Sequence, residues 1–226
     1  MGKFDSRGDE GWEAYGRETR FHRLVAGVRS GQVKYKAQKQ RTILDRSRAE
    51  VLSDERQEEL ERVALSDRTT GLPNLKAFNK RLEYELRRAK RYKRPLSLLY
   101  LAVDDMKNIS RQYGALTVDD IMRASANIVR QSIRDVDFAG RLNQHVIGVI
   151  FPETYSSRAL VVAERIRANI KNTNISPDLK GLRVTCSLGI AAFPSNGRGA
   201  QDLSARSLEF LELAQGEGGD CIRNGA

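Results

Sequence analysis

The sequence predicts an α/β sandwich, with a mostly antiparallel central sheet flanked by helices and a helical or flexible segment ahead of it. Three observations carry that expectation. Helical and strand periodicities alternate from Asp67 onward. The longest apolar runs, Leu96 to Val103 and Val146 to Phe151, have the length of buried strands. Residues 137–142 and 146–152 are separated by only Asn143-Gln144-His145, which is hairpin spacing.

Taken in order, residues 1–16 hold four glycines and mixed charge without periodicity, so a flexible tail is expected. Between Arg17 and Arg48 ten cations face two acids, Glu18 and Asp45, and most of the chain's positive excess sits here. Residues 49–66 are rich in Glu and Arg, with Val51, Leu52, Leu60 and Val63 as sparse apolar contacts. They read as a solvated helix whose spacing does not sustain three heptads, so no coiled-coil seam is expected. These features divide the chain into an N-terminal segment, residues 1–64, and one domain, residues 65–226.

Within that domain Asn74 is a candidate N-cap for a helix carrying Leu75, Phe78, Leu82 and Leu86, which Pro95 stops. Leu96 to Val103 follows as a buried strand. Two helices are expected before the hairpin, the second over Thr117 to Ile133 with Ile121, Ala124, Ile128 and Ile133 apolar. Ser156 is expected to cap a helix whose Ala159, Ala163, Ile166 and Ile170 share a face. Leu182 to Ala192 reads as a further strand and Gln201 to Gln215 as the last helix.

Composition bounds function. With 226 residues and 40% apolar content the chain can bury a core. Its apolar runs fall well short of the roughly 20 residues of a membrane-crossing helix. The opening stretch MGKFDSRGDEGWEAYG has no apolar run of the secretory kind, which predicts a cytoplasmic chain. Cys186 and Cys221 form neither a disulfide framework nor a metal spacing and are expected to be reduced. His22 and His145 have no partner at metal or nucleophile spacing. A net charge of +10 attracts polyanions without choosing among them.

Several local sequences then converge. Asp67-Arg68-Thr69-Thr70-Gly71-Leu72-Pro73-Asn74 is similar to the opening D-x-L-T-G-L-x-N of the GGDEF family of bacterial diguanylate cyclases. Arg94-Pro95 before an apolar strand, Phe151-Pro152-Glu153-Thr154, Ala163-Glu164-Arg165-Ile166-Arg167 and Val184-Thr185-Cys186-Ser187-Leu188-Gly189-Ile190-Ala191 resemble its later landmarks, in order, over about residues 66–226. The resemblance implies a nucleotidyl-cyclase-like sandwich. An active member joins two GTP molecules held in facing subunits, with carboxylate-bound divalent ions neutralising the triphosphate.

This sequence departs from that pattern where the chemistry would sit. Ala102 stands where the family has its first metal-binding Asp, and Asn143-Gln144-His145-Val146-Ile147 replaces the five-residue signature. Mg²⁺ requires oxygen ligands, which Ala102 and Val146 lack. Ser110 replaces a guanine-contacting Asn, Asp119 keeps a base-contacting position, and Gln215 and Gly219 fall where phosphate-binding Lys and Arg are usual. No catalysis, no metal site and no cofactor are therefore expected.

What is kept is Arg134-Asp135-Val136-Asp137, an R-x-x-D five residues before the altered signature. Outside that context it would be a helix-end ion pair. In the family it marks the inhibitory site that binds the product, cyclic di-GMP. A guanidinium matches guanine O6 and N7, and a carboxylate accepts from guanine N1 and N2. Arg165 matches the family's second ligand-contacting Arg, and Arg88 the Arg through which a second subunit closes around a stacked ligand pair. The expected ligand residues are thus Arg134, Asp137, Arg165 and Arg88, with homodimerisation promoted by ligand. The expected function is that of a non-catalytic cyclic di-GMP receptor signalling through a protein partner of the N-terminal segment. The alternatives are a scaffold without ligand working through residues 17–48, a cyclase with unusual metal ligands, and a nucleic-acid binder. The last is disfavoured because residues 17–48 offer few aromatics beyond Phe21 and Tyr35.

Overall fold

Among the described residues ten elements follow one another: α1 (Leu75–Tyr92), β1 (Leu96–Val103), α2 (Met106–Tyr113), α3 (Ala115–Ser132), β2 (Phe138–Arg141), β3 (Val146–Pro152), α4 (Ser156–Asn172), β4 (Cys186–Phe193), α5 (Ala200–Gly216) and β5 (Ile222–Asn224). They come from a computed structural model that describes residues 64–173 and 182–225. The expected tail, the basic segment 17–48 and the helix over 49–66 lie outside the described residues, apart from residues 64–66. Five strands form one sheet in the order β2-β3-β1-β4-β5. Every pair is antiparallel except β4 with β5. This is the sandwich that the alternating periodicities predict, and no described helix is long and apolar enough to cross a membrane.

β1 is buried along its whole length because helices cover both faces of the sheet, and its one polar side chain, Ser97, donates to the Thr154 carbonyl at 2.8 Å. Leu99, Leu101 and Val103 join Ile147, Val149 and Phe151 in a cluster with α3 and α4 residues such as Ile121, Val129 and Ile166. Leu96, Leu98, Tyr100 and Ala102 turn to the other side, where Phe78, Leu82 and Leu86 of α1 and Leu203 and Leu211 of α5 pack. Tyr100 lies between Gly148 of β3 and Gly189 of β4 in register. A Cβ on Gly148 would stand 2.6 Å from the Phe78 ring, and one on Gly189 2.2 Å from the Ser207 carbonyl oxygen of α5. The two glycines let α1 and α5 press flat onto the sheet. Phe78, fully buried, would cost about 3–5 kcal/mol on truncation to Ala.

Local signals explain most boundaries. Asn74 caps α1 by accepting a hydrogen bond from the Ala77 amide, and the helix ends at Lys93 in a left-handed conformation just before Arg94-Pro95. Gly114, at φ +84°, breaks what would be one long helix into α2 and α3. Three expectations need correction. Ser156 is the first residue of α4, not its cap; Tyr155 occupies the cap position without a side-chain bond. The regular strand β4 starts at Cys186 instead of Leu182, because its partner β1 ends opposite at Val103. β5, three residues without alternation, pairs parallel with β4 and carried no sequence signal.

Candidate functional site

Arg134 and Asp137 form a closed turn between α3 and β2. The Asp137 amide donates to the Arg134 carbonyl at 3.0 Å. In return the Asp137 carboxylate accepts from the Arg134 amide at 2.9 Å, from its Nε at 3.2 Å and from its Nη2 at 2.8 Å. Nη2 also donates to the Thr154 hydroxyl oxygen at 2.9 Å, and that hydroxyl donates to the Pro152 carbonyl at 2.8 Å. The Asp137 side chain is 1% exposed, whereas that of Arg134 is 58% exposed. A buried carboxylate without partners would be costly, and this one is satisfied by the guanidinium fork. The same bonds raise the Arg134 pKa above its already high value. Asp137 thus holds Arg134 in one orientation, leaving Nη1 without a partner among the described residues.

Arg134, Asp137 and Arg165 line one open cavity of about 570 Å³. Arg165 reaches it from α4, where its guanidinium donates to the Ser132 carbonyl at the end of α3. Sequence reasoning missed three further lining residues. Thr154 orients Arg134, Arg158 is an exposed cation, and Tyr155 presents a ring that is 68% exposed. Thr154 ends the Phe151-Pro152-Glu153-Thr154 landmark and Tyr155 follows it, and only their position beside the Arg134 turn makes their part in the cavity visible. Arg88 is not in this cavity. It lies on α1, bonded to Glu85 at 3.3 Å and to Glu153 at 2.9 Å, and Glu153 is itself part of the cavity wall.

At the far end of β3 the positions associated with catalysis are arranged differently. Ala102, 3% exposed, sits opposite Val146 in the ladder. Asn143 accepts from the amides of His145 and Val146 at 2.8 and 2.9 Å, closing the hairpin on itself. Arg141 stiffens it further, donating to the carbonyls of Asn143 and Gln144 and to Asp67 at 2.9 Å. Burial, with the charges of Arg141 and Lys107, pushes the His145 pKa down. Asp104, the nearest carboxylate on the chain after Ala102, is taken by Thr185, Ser187 and the Asp220 amide. Among the described residues no three His, Cys, Asp or Glu side chains gather as metal ligands. This donor set does not fit a pair of divalent ions.

Comparison with known proteins identifies the family and the fold. The family model of the diguanylate cyclase GGDEF domain matches residues 64–221. Diguanylate cyclase DgcP of Pseudomonas aeruginosa is 35% identical over 169 residues, covering 75% of this chain and 24% of that protein. Response regulator PleD of Caulobacter vibrioides is 28% identical over 162 residues, covering 71% and 36%. The chain therefore spans well under half the length of either relative. The coiled coil and GGDEF domain of DgcB from Caulobacter crescentus, solved in complex with c-di-GMP, matches with a TM-score of 0.75 at 24% identity, over 80% of this chain and 97% of that one. Diguanylate cyclase SiaD of Pseudomonas aeruginosa, solved with its activator SiaC, matches with a TM-score of 0.69 at 22% identity, over 96% and 87%. At these identities the structures share the fold.

Proposed function

The chain belongs to the diguanylate cyclase GGDEF family, and from that membership we propose that it is a non-catalytic receptor for cyclic di-GMP, with Arg134 as the principal contact and output through a protein partner. The observation that carries this reading is the contrast between two ends of β3. At one end Arg134 is held by a buried carboxylate in a cavity that Arg165 also lines. At the other, Ala102 and Val146 face each other where acidic ligands would be needed.

The chemistry follows from the donors. Guanine offers O6 and N7 on one edge to a guanidinium. Nη1 of Arg134 is available, and the Nη2 hydrogen now on Thr154 is one that guanine could take over. Arg165 and Arg158 supply positive charge for the phosphates, and the Tyr155 ring offers a face for a base. Asp137 is engaged with Arg134, so its direct contact with guanine would require the fork to open. Signalling requires the dinucleotide to bind two states of the protein unequally. DgcB's complex with c-di-GMP and SiaD's with SiaC support the two halves of the proposal, ligand and protein partner, by kinship of fold.

Isothermal titration of the full chain with cyclic di-GMP, beside incubation with GTP and Mg²⁺ or Mn²⁺, tests the reading. Binding without product formation is expected. No heat at high-micromolar ligand with folded protein would leave the ligand-free scaffold acting through residues 17–48. Turnover that one cleft substitution abolishes would instead restore the enzyme.

A further inference from the structure

The outward face of α1 is strongly basic and carries exposed aromatic rings. Over Leu75–Tyr92 the helix carries seven cations and two acids, and one of those acids, Glu85, is buried under Arg81 and Arg88. Tyr84 and Tyr92 stand on this face, 53% and 58% exposed. With Arg87, Arg88 and Arg91 they line a shallow groove of about 470 Å³. Arg81 lies over the Tyr84 ring at 5.6 Å and Arg91 over the Tyr92 ring at 5.5 Å. Arg87 reaches Glu83 only at 4.0 Å, and Arg91 has no carboxylate partner among the described residues. Arg88 is tied to Glu85 and Glu153, but Tyr84, Tyr92, Arg87 and Arg91 are half or more exposed or weakly paired and add little to the stability of the fold.

We propose that this face binds single-stranded nucleic acid. Exposed aromatic rings give unpaired bases a stacking surface, and beside them the guanidiniums of Arg87, weakly paired, and of Arg91, without a carboxylate partner among the described residues, give the phosphates their counter-charge. Tyr84 and Tyr92 lie two helical turns apart, about 12 Å along the axis, with Arg87, Arg88 and Arg91 between them. A backbone running along the helix would therefore meet aromatic, cation and aromatic in turn. A duplex hides its base faces and could use only the charges. A membrane surface fits less well, because an interfacial helix inserts its apolar face. The apolar face of α1, with Phe78, Leu82, Leu86 and Ala89, is already buried against the sheet. Sequence reasoning set nucleic acid aside because residues 17–48 are poor in aromatics. The α1 tyrosines escaped that argument because their shared exposure appears only in the folded helix. The inference shares only Arg88 with the cyclic di-GMP reading, and the substitutions that test it leave Arg88 in place.

The test is fluorescence anisotropy of a fluorescein-labelled 20-nucleotide uridylate RNA with the full chain, beside a labelled duplex of equal length and co-sedimentation with phosphatidylserine vesicles. Tyr84→Ala with Tyr92→Ala leaves every charge in place, including those of residues 17–48, so it isolates stacking. It is expected to weaken RNA binding about tenfold or more while duplex binding stays unchanged. Arg87→Ala with Arg91→Ala is expected to reduce the slope of log affinity on log salt by roughly 1.4, two phosphate contacts at about 0.7 each. Both pairs are exposed, and an unchanged melting temperature certifies their folding. RNA affinity indifferent to the tyrosine pair, duplex bound as tightly as the single strand, or vesicles bound in place of RNA overturns the proposal.

Discussion

If Asp137 serves the ligand by fixing Arg134, then removing its charge should matter only while Arg134 is present. Asp137→Asn keeps the shape and one acceptor oxygen but turns an NH₂ toward a guanidinium that offers only donors. Of the three bonds the carboxylate accepts from Arg134, at 2.9, 3.2 and 2.8 Å, at least one is lost. A charge-assisted bond of this kind contributes about 1.5–3 kcal/mol when its acceptor is buried. The half-exposed guanidinium argues for the lower end of that range. For the ligand the expected loss is smaller. Arg134 regains rotamer freedom that binding must then remove, about 0.5–1.5 kcal/mol, or roughly a two- to tenfold weaker Kd. Arg134→Ala deletes the contact itself and should cost about 1–3 kcal/mol of affinity. Arg134→Lys should not rescue it, since an ammonium cannot reproduce the planar fork. The decisive measurement is the double variant, titrated with cyclic di-GMP by calorimetry, with thermal melts to certify folding. It should bind no more weakly than Arg134→Ala alone, because Asp137 then has nothing left to orient. Losses that add in the double variant would show that Asp137 touches the ligand directly and would refute the positioning role.

Arg88→Ala should leave the primary site intact but reduce both ligand-promoted dimerisation and the number of dinucleotides bound. Light scattering across a ligand titration measures this, and an unaltered dimer fraction would speak against closure by a second subunit. Ala102→Asp alone should leave GTP unconverted, because the hairpin of Asn143, Gln144 and His145 brings no second carboxylate. It should also lower the melting temperature by burying a charge beside Val146; any cyclic dinucleotide formed by that variant would contradict the metal argument. Acid stability should depend on Asp67 and Asp220. Burial would raise the pKa of each, but hydrogen bonds from Thr70 and Arg141 to Asp67, and from Lys171 and Arg167 to Asp220, outweigh it and hold both low. A depressed carboxyl adds stability that is complete above its unfolded pKa of about 4 and is lost as pH falls toward the folded value. The melting temperature should therefore drop below about pH 4, and less steeply in Asp67→Asn with Asp220→Asn; parallel acid limbs would count against these two groups.

Period and punctuation made the fold legible, and the reasons are visible in particular residues. Phe78, Leu82 and Leu86 share a face, Leu96 to Val103 is apolar but for Ser97, and Asn74 and Pro95 act where their backbone chemistry requires. β5 was illegible because three residues, one of them the exposed Arg223, carry no pattern beyond what a neighbouring strand imposes on them. At the site, Arg134, Asp137 and Arg165 could be named from a spacing and a resemblance, and they do line one cavity. The i,i+3 spacing already allows the Arg134–Asp137 ion pair, but the closed turn around it and the bond to Thr154 could not be read in advance. That Asp137 points at Arg134 depends on a turn closed by backbone bonds, and the contribution of Thr154 depends on where β3 ends. Neither is a property of residue type.

The separation of the two corners explains how one can change while the other is retained. β3 runs seven residues from Val146, beside the altered hairpin, to Pro152, just ahead of Thr154 and the Arg134 cavity. At about 3.3 Å per residue that is roughly 20 Å of rigid strand. The hairpin end is tied down by its own bonds, with Arg141 reaching Asp67 and Asn143 capping two amides. Asp104 likewise ties the end of β1 to Thr185, Ser187 and the loop before β5. None of these bonds involves Arg134, Asp137, Thr154 or Arg165. On the proposed reading, a hairpin without acids offers no ligands for a metal yet leaves intact the fork that holds Arg134, so a nucleotide-sized cavity can stand beside a cleft that lacks the donors such chemistry would need.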